Sequence, residues 1–93
     1  MTEQPASPQQ TGLTFPCRYP VKAMVHAKPS AHYAVLERIA EHALFDHDED
    51  VSLKASRNGR YQSMTVTVAV DSREQLERIY AELHALDAVL MTL

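Results

Sequence analysis

Cysteine, glycine and positive charge are all scarce in this 93-residue sequence, and each scarcity closes off a class of function. Cys17 stands alone, so no intramolecular disulfide can form, and the usage fits a reducing compartment. One thiol also excludes a structural zinc centre built on thiolates and the Cys-x-x-Cys loop of a metallochaperone. Glycine occurs only at Gly12 and Gly59, which leaves no glycine-rich loop to cradle a phosphate. With 9 Lys and Arg against 12 Asp and Glu, the formal charge of −3 argues against general nucleic-acid binding by bulk attraction. No apolar run is long enough to cross a bilayer, so no membrane association is expected. The first dozen residues carry Glu3 and no basic or apolar block, unlike a secretory signal. The expected location is the cytoplasm.

What is present suits one small globular domain. An apolar fraction of 45% supplies a core, and 23% charged residues is too moderate for wholesale disorder. A chain of this length buries little surface per residue, so a homodimer that covers a sheet face or edge is expected. Residues 1–14, rich in Gln, Pro, Ser and Thr, read as a disordered tail. Residues 15–93 form the domain, entered by the extended Phe15-Pro16-Cys17-Arg18-Tyr19-Pro20.

Val21 to Ala27 alternates as a first strand, with Val21, Ala23 and Val25 on one face and Lys22, Met24 and His26 on the other. Ser30 is placed to cap a first helix whose stripe is Val35, Leu36, Ile39, Ala40 and Ala43, ending near Phe45. A second strand, Val51 to Ala55, runs into Asn58-Gly59, which suits a two-residue type I′ turn. That turn sets Arg57 opposite Arg60, Leu53 opposite Met64, Val51 opposite Val66, Lys54 opposite Ser63 and Ser52 opposite Thr65. Apolar meets apolar and polar meets polar on every pair, whereas a one-residue slip would mix the faces. The third strand continues to Val70. Ser72 with Gln75 then forms a capping box for a second helix with the stripe Leu76, Ile79, Tyr80, Leu83 and Leu86 and a surface pair Glu74–Arg78. Ala88 to Leu93 is the fourth strand.

Right-handed crossovers turn this order into an α+β fold, the ferredoxin-like βαββαβ plait. It has a four-stranded antiparallel sheet in the order 4-1-3-2 and both helices on one face. Four segments resemble the YbeD family of small bacterial proteins. They are Phe15-Pro16-Cys17 leading to Lys22 and Met24; Ser56 through Gly59 to Tyr61 and Ser63; Ile79-Tyr80-Ala81-Glu82-Leu83; and Asp87 with Met91-Thr92-Leu93. The resemblance implies a ferredoxin-like fold similar to the ACT regulatory domains that bind small molecules. It also implies a regulatory link to lipoate metabolism through gene neighbourhood, and brings no enzymatic activity. Val25 stands where the family often has glycine, and the loop His26-Ala27-Lys28-Pro29-Ser30 lacks the glycine common in amino-acid-binding ACT domains. Both departures count against that kind of ligand site.

The plait hosts many functions, so the residues must discriminate. An RNA-recognition domain stacks bases on aromatics of its central strands, and the third strand offers only Tyr61. No nucleophile sits on a sharp strand–helix turn, so no catalytic residue is assigned and the protein is read as non-enzymatic. The five histidines are scattered, and Asp46-His47-Asp48-Glu49-Asp50 lacks the glycine and spacing of a calcium loop, so neither a metal nor a cofactor is expected. What remains is charge placement. Lys28, Arg57 and Arg60 gather at one pole with the start of the first helix, a setting that favours anions. The open sheet face would show Ser52, Lys54, Tyr61, Ser63, Thr65 and Thr67. The candidate binding set is therefore Lys28, Lys54, Arg57, Arg60, Tyr61, Ser63 and Thr65. The expected function is a regulatory or protein-interaction module that engages a partner protein or a small anionic metabolite. The alternative is an ACT-like sensor of an anionic metabolite.

Overall fold

Alternation along residues 61–70 decides the architecture. Met64, Val66, Val68 and Val70 are buried, while Tyr61, Ser63, Thr65 and Thr67 are only partly covered. The computed structural model, described for residues 13–93, places them in the order β1 (Cys17–His26), α1 (Pro29–Ala40), β2 (Val51–Ala55), β3 (Tyr61–Val70), α2 (Arg73–His84), β4 (Val89–Thr92). The strands form one antiparallel sheet in the order β2-β3-β1-β4, which is the expected 4-1-3-2 viewed from its other edge. Ala31, Val35 and Ile39 of α1 and Leu76, Ile79, Tyr80 and Leu83 of α2 join Val21, Ala23 and Val25 of β1 and the even positions of β3 in one core. Both helices therefore lie on the same side of the sheet, as a ferredoxin-like plait requires. Each fully buried leucine or isoleucine in that core contributes roughly 1.5–3 kcal/mol.

The β2–β3 register is the expected one, with Val51 opposite Val66, Leu53 opposite Met64 and Lys54 opposite Ser63. The turn that sets it differs. The Gly59 amide donates to the Ser56 carbonyl at 3.0 Å, and the Ser56 amide donates to the Tyr61 carbonyl at 2.9 Å. The loop is thus four residues, 57–60, rather than a two-residue type I′ turn. Gly59 takes the left-handed conformation at φ 73, and the Asn58 side-chain oxygen accepts from the Arg60 amide. The longer loop is centred on the same point, so the register survives.

Several boundaries move, each for a visible reason. β1 begins at Cys17 instead of Val21, pairing Cys17 with Val70 along the whole of β3. Pro20 is tolerated because β4 pairs only with Ala23, Met24 and Val25, leaving Pro20 where β1 is the outer strand. The α1 cap is Lys28 rather than Ser30, with Pro29 in the first turn, where a missing N–H costs nothing. The helix stops at Ala40, not near Phe45. Ala43 and Phe45 still pack on the core, but from an extended link in which the Ala69 amide donates to the Leu44 carbonyl. An apolar residue at these positions satisfies either period, which is why the helix reads too long. Of the tail expected over 1–14, residues 1–12 lie outside the described residues, and Leu13 packs half-buried against the core.

Ser72 caps α2 by accepting from the Gln75 amide at 3.2 Å. Gln75 reaches back to accept from the Asp71 amide and also donates to the His42 carbonyl, tying the start of α2 to the end of α1. The helix pair is joined by Arg38 donating to Glu82 at 2.7 Å, whereas Glu74 and Arg78 form no ion pair among the described residues.

Tyr80 is 7% exposed and its hydroxyl has no hydrogen-bond partner of acceptable geometry, although Tyr19 and the Lys22 backbone are close by. Burial pushes its pKa up, so the phenol stays protonated. Tyr80→Phe removes a polar atom that is already unpaired, so equilibrium denaturation should show unchanged stability or a gain of up to about 1 kcal/mol. A loss of about 2 kcal/mol would show that the hydroxyl is bonded after all.

Candidate functional site

On the side of the sheet away from the helices, strand pairing fixes which residues are neighbours. Lys54 lies beside Ser63, and Ser63 beside Met24, which in turn faces Met91 of β4. The next row runs Ser52, Thr65, Lys22, and the Leu93 amide donates to the Lys22 carbonyl. Thr67 pairs with Pro20, and Tyr61 pairs with His26, their rings 5.7 Å apart. Val66 and Val68 are buried at 1% and 0% exposure, so the hydroxyl-bearing residues of β3 face outwards as alternation requires. Among the described residues no element covers this face.

Six of the seven sequence candidates share this face or its hairpin end. Lys54, Tyr61, Ser63 and Thr65 form the surface, and Arg57 and Arg60 stand exposed at the loop that ends it. Lys28 reaches the same pole, because the Ala27 amide donates to the Arg60 carbonyl at 3.1 Å. Lys28 also lines a cleft of about 310 Å³ between the β1–α1 and α2–β4 connections, with His26, Ser30, Ala31, Asp87 and Ala88. The hairpin arginines share a pole with Lys28 but not that cleft. Lys22, Met24, His26 and Met91 also belong to the face, and the hairpin register could not reveal them. The alternation of β1 grouped the first three, but only the β1–β3 pairing places them beside Ser63 and Thr65. Met24 and the 53%-exposed Met91 give the platform an apolar border that the hydroxyl pattern did not suggest.

The charges are segregated. Lys22, Lys28, Lys54, Arg57 and Arg60 have no carboxylate partner among the described residues. The acidic segment 46–50 sits at the other end of β2 and is engaged with itself. Asp46 accepts from the Asp48 and Glu49 amides, each at 2.8 Å, while Asp50 accepts from the Asp46 amide and pairs with Arg18. The Asp46 and Asp50 carboxylates are thus engaged by backbone amides and an arginine. The metal-ligand atoms that do converge among the described residues belong to Glu41, His42 and Glu82, in the helix layer. No helix in the described residues is long and apolar enough to cross a membrane.

The comparisons with known proteins agree with this architecture. A family model described as "Protein of unknown function (DUF493)" matches residues 10–93. A UPF0250 protein of Vibrio cholerae is 44% identical over 81 residues, covering 87% of this chain and 86% of its own length. A UPF0250 protein of Neisseria gonorrhoeae is 34% identical over 93 residues and 100% of both chains. The solution structure of protein HP0495 from H. pylori superposes with a TM-score of 0.69 at 21% identity, over 100% of this chain and 98% of that one. The last likeness bears on the fold alone.

The amides of Glu49 and Asp48 hold the Asp46 carboxyl below its usual range. A carboxyl whose folded pKa is depressed stabilises the fold above its unfolded value and loses that contribution as pH falls through the folded value. Asp46→Ala should therefore flatten the acid-side fall of melting temperature between about pH 5 and pH 2. Thermal melts across that range check it, and an acid limb as steep as that of the unaltered protein would refute it.

Proposed function

The chain belongs to the DUF493 family, and we propose that it is a cytoplasmic, non-enzymatic interaction module whose helix-free sheet face and basic hairpin pole dock an acidic surface of a partner protein. The observation that carries this reading is the gathering of Lys22, Lys54, Arg57 and Arg60, none paired with a carboxylate among the described residues, on one face and its end. The overall charge is −3, so local placement rather than bulk charge produces the patch. A basic zone left without internal partners costs little in water and becomes useful when an acidic surface meets it. Ser63, Thr65 and Thr67 supply short, adaptable hydrogen-bonding groups, and Met24 with Met91 supplies apolar contact area at the border. Hydroxyl groups across the middle, apolar side chains at one border and basic groups at the end together suit a protein–protein contact. The described core contains no buried charged side chain, which supports a role carried by the surface.

A second reading, a sensor of a small anionic metabolite akin to ACT domains, is favoured by one feature. The cleft of about 310 Å³ beside the start of α1 carries Lys28, His26 and Ser30. Asp87 also lines it, and the adjoining loop has no glycine, so the first reading is preferred.

Arg57→Glu combined with Arg60→Glu reverses two exposed charges away from the core. Recovery of the partner from native lysate should fall about tenfold with the melting temperature unchanged. Undiminished recovery would overturn the docking reading. The lipoate link implied by the family resemblance would show as an enzyme of lipoate metabolism among the captured proteins. A rise in melting temperature with a small organic acid, abolished by Lys28→Ala, would favour the sensor instead.

A further inference from the structure

We propose that Glu41, His42 and Glu82 form a site for a divalent transition metal ion of the zinc type, where the end of α1 meets α2. One ligand atom from each of the three lies within 4.8 Å of the others. The His42 Nε2 to Glu82 Oε2 distance is 3.7 Å, too long for a hydrogen bond. It is close to the separation of about 3.4 Å expected for two donors bound tetrahedrally to one zinc ion. His42 Nε2 is shielded from solvent yet has no hydrogen-bond partner, an arrangement that costs free energy unless something coordinates it.

The surroundings hold these donors in place. Gln75 donates to the His42 carbonyl at 2.6 Å and fixes the backbone that carries the imidazole. Arg38 donates to Glu82 Oε1 at 2.7 Å, which orients the carboxylate and leaves Oε2 turned to His42. Such outer hydrogen bonds are how metal sites aim their ligands. Arg38 and Arg78 oppose a cation near Glu82, but Asp71 and Glu74 line the adjoining cleft with Glu41 and His42. Four carboxylates against two guanidinium groups leave the neighbourhood negative. That cleft, about 370 Å³, has room for water to complete the coordination shell. Imidazole and carboxylate donors without a thiolate suit zinc or cobalt(II) better than a soft monovalent ion.

Zinc chloride titrated calorimetrically into the untagged full chain, and cobalt(II) followed by visible absorption, test the site directly. We expect one ion per chain, with His42→Ala and Glu41→Gln each weakening zinc at least tenfold while circular dichroism stays native. Glu41 is exposed, so its variant keeps the test valid if His42→Ala fails to fold. His47→Ala and His84→Ala should bind as the unaltered chain does. Absence of binding at millimolar zinc, or unchanged affinity in folded Glu41→Gln and His42→Ala, would overturn the proposal. Neither outcome touches the docking face, which uses none of these residues.

Discussion

β3 is bonded on one side to β2 and on the other to β1, and its alternate side chains go to opposite faces of the sheet. Met64, Val66, Val68 and Val70 give both helices an apolar floor, and Ser63, Thr65 and Thr67 form the outer surface. Shifting this strand by one residue would bury three hydroxyls without partners and expose four large apolar groups. Unpaired buried hydroxyls are costly, so the register has no close competitor. The core and the candidate docking face are thus two sides of the same constraint.

Legibility followed the range of the interaction. The β2–β3 pairing is local, and its polar and apolar matches are visible residue by residue in the sequence. Even a mistaken turn type left it intact, because a loop of two or four residues centred on Asn58-Gly59 aligns the same pairs. The Ser72 cap was equally local. The start of β1 was not, since Cys17 to Pro20 become strand only by pairing with residues 67–70 far along the chain. Proline there reads as a lead-in until one sees how short β4 is.

The sites divide in the same way. Lys54, Tyr61, Ser63 and Thr65 came from one hairpin and were legible, whereas Lys22, Met24, His26 and Met91 needed the order of the whole sheet. Lys28 lies at the hairpin pole as its place before α1 implies, whereas the cleft that it also lines needs the packing of the α2–β4 connection. His42 and Glu82 sit on different helices, and no spacing rule links them. Their approach depends on how α1 and α2 pack, including the contacts from Arg38 and Gln75.

Because Asp46, Asp48, Glu49 and Asp50 precede β2 while Arg57 and Arg60 follow it, the molecule carries an electric moment along that strand. A weak net charge conceals it. In a field from any charged surface the protein would rotate before it touched, presenting the hairpin to anions and the opposite tip to cations. Encounter rates should consequently respond to ionic strength far more than a charge of −3 alone would suggest.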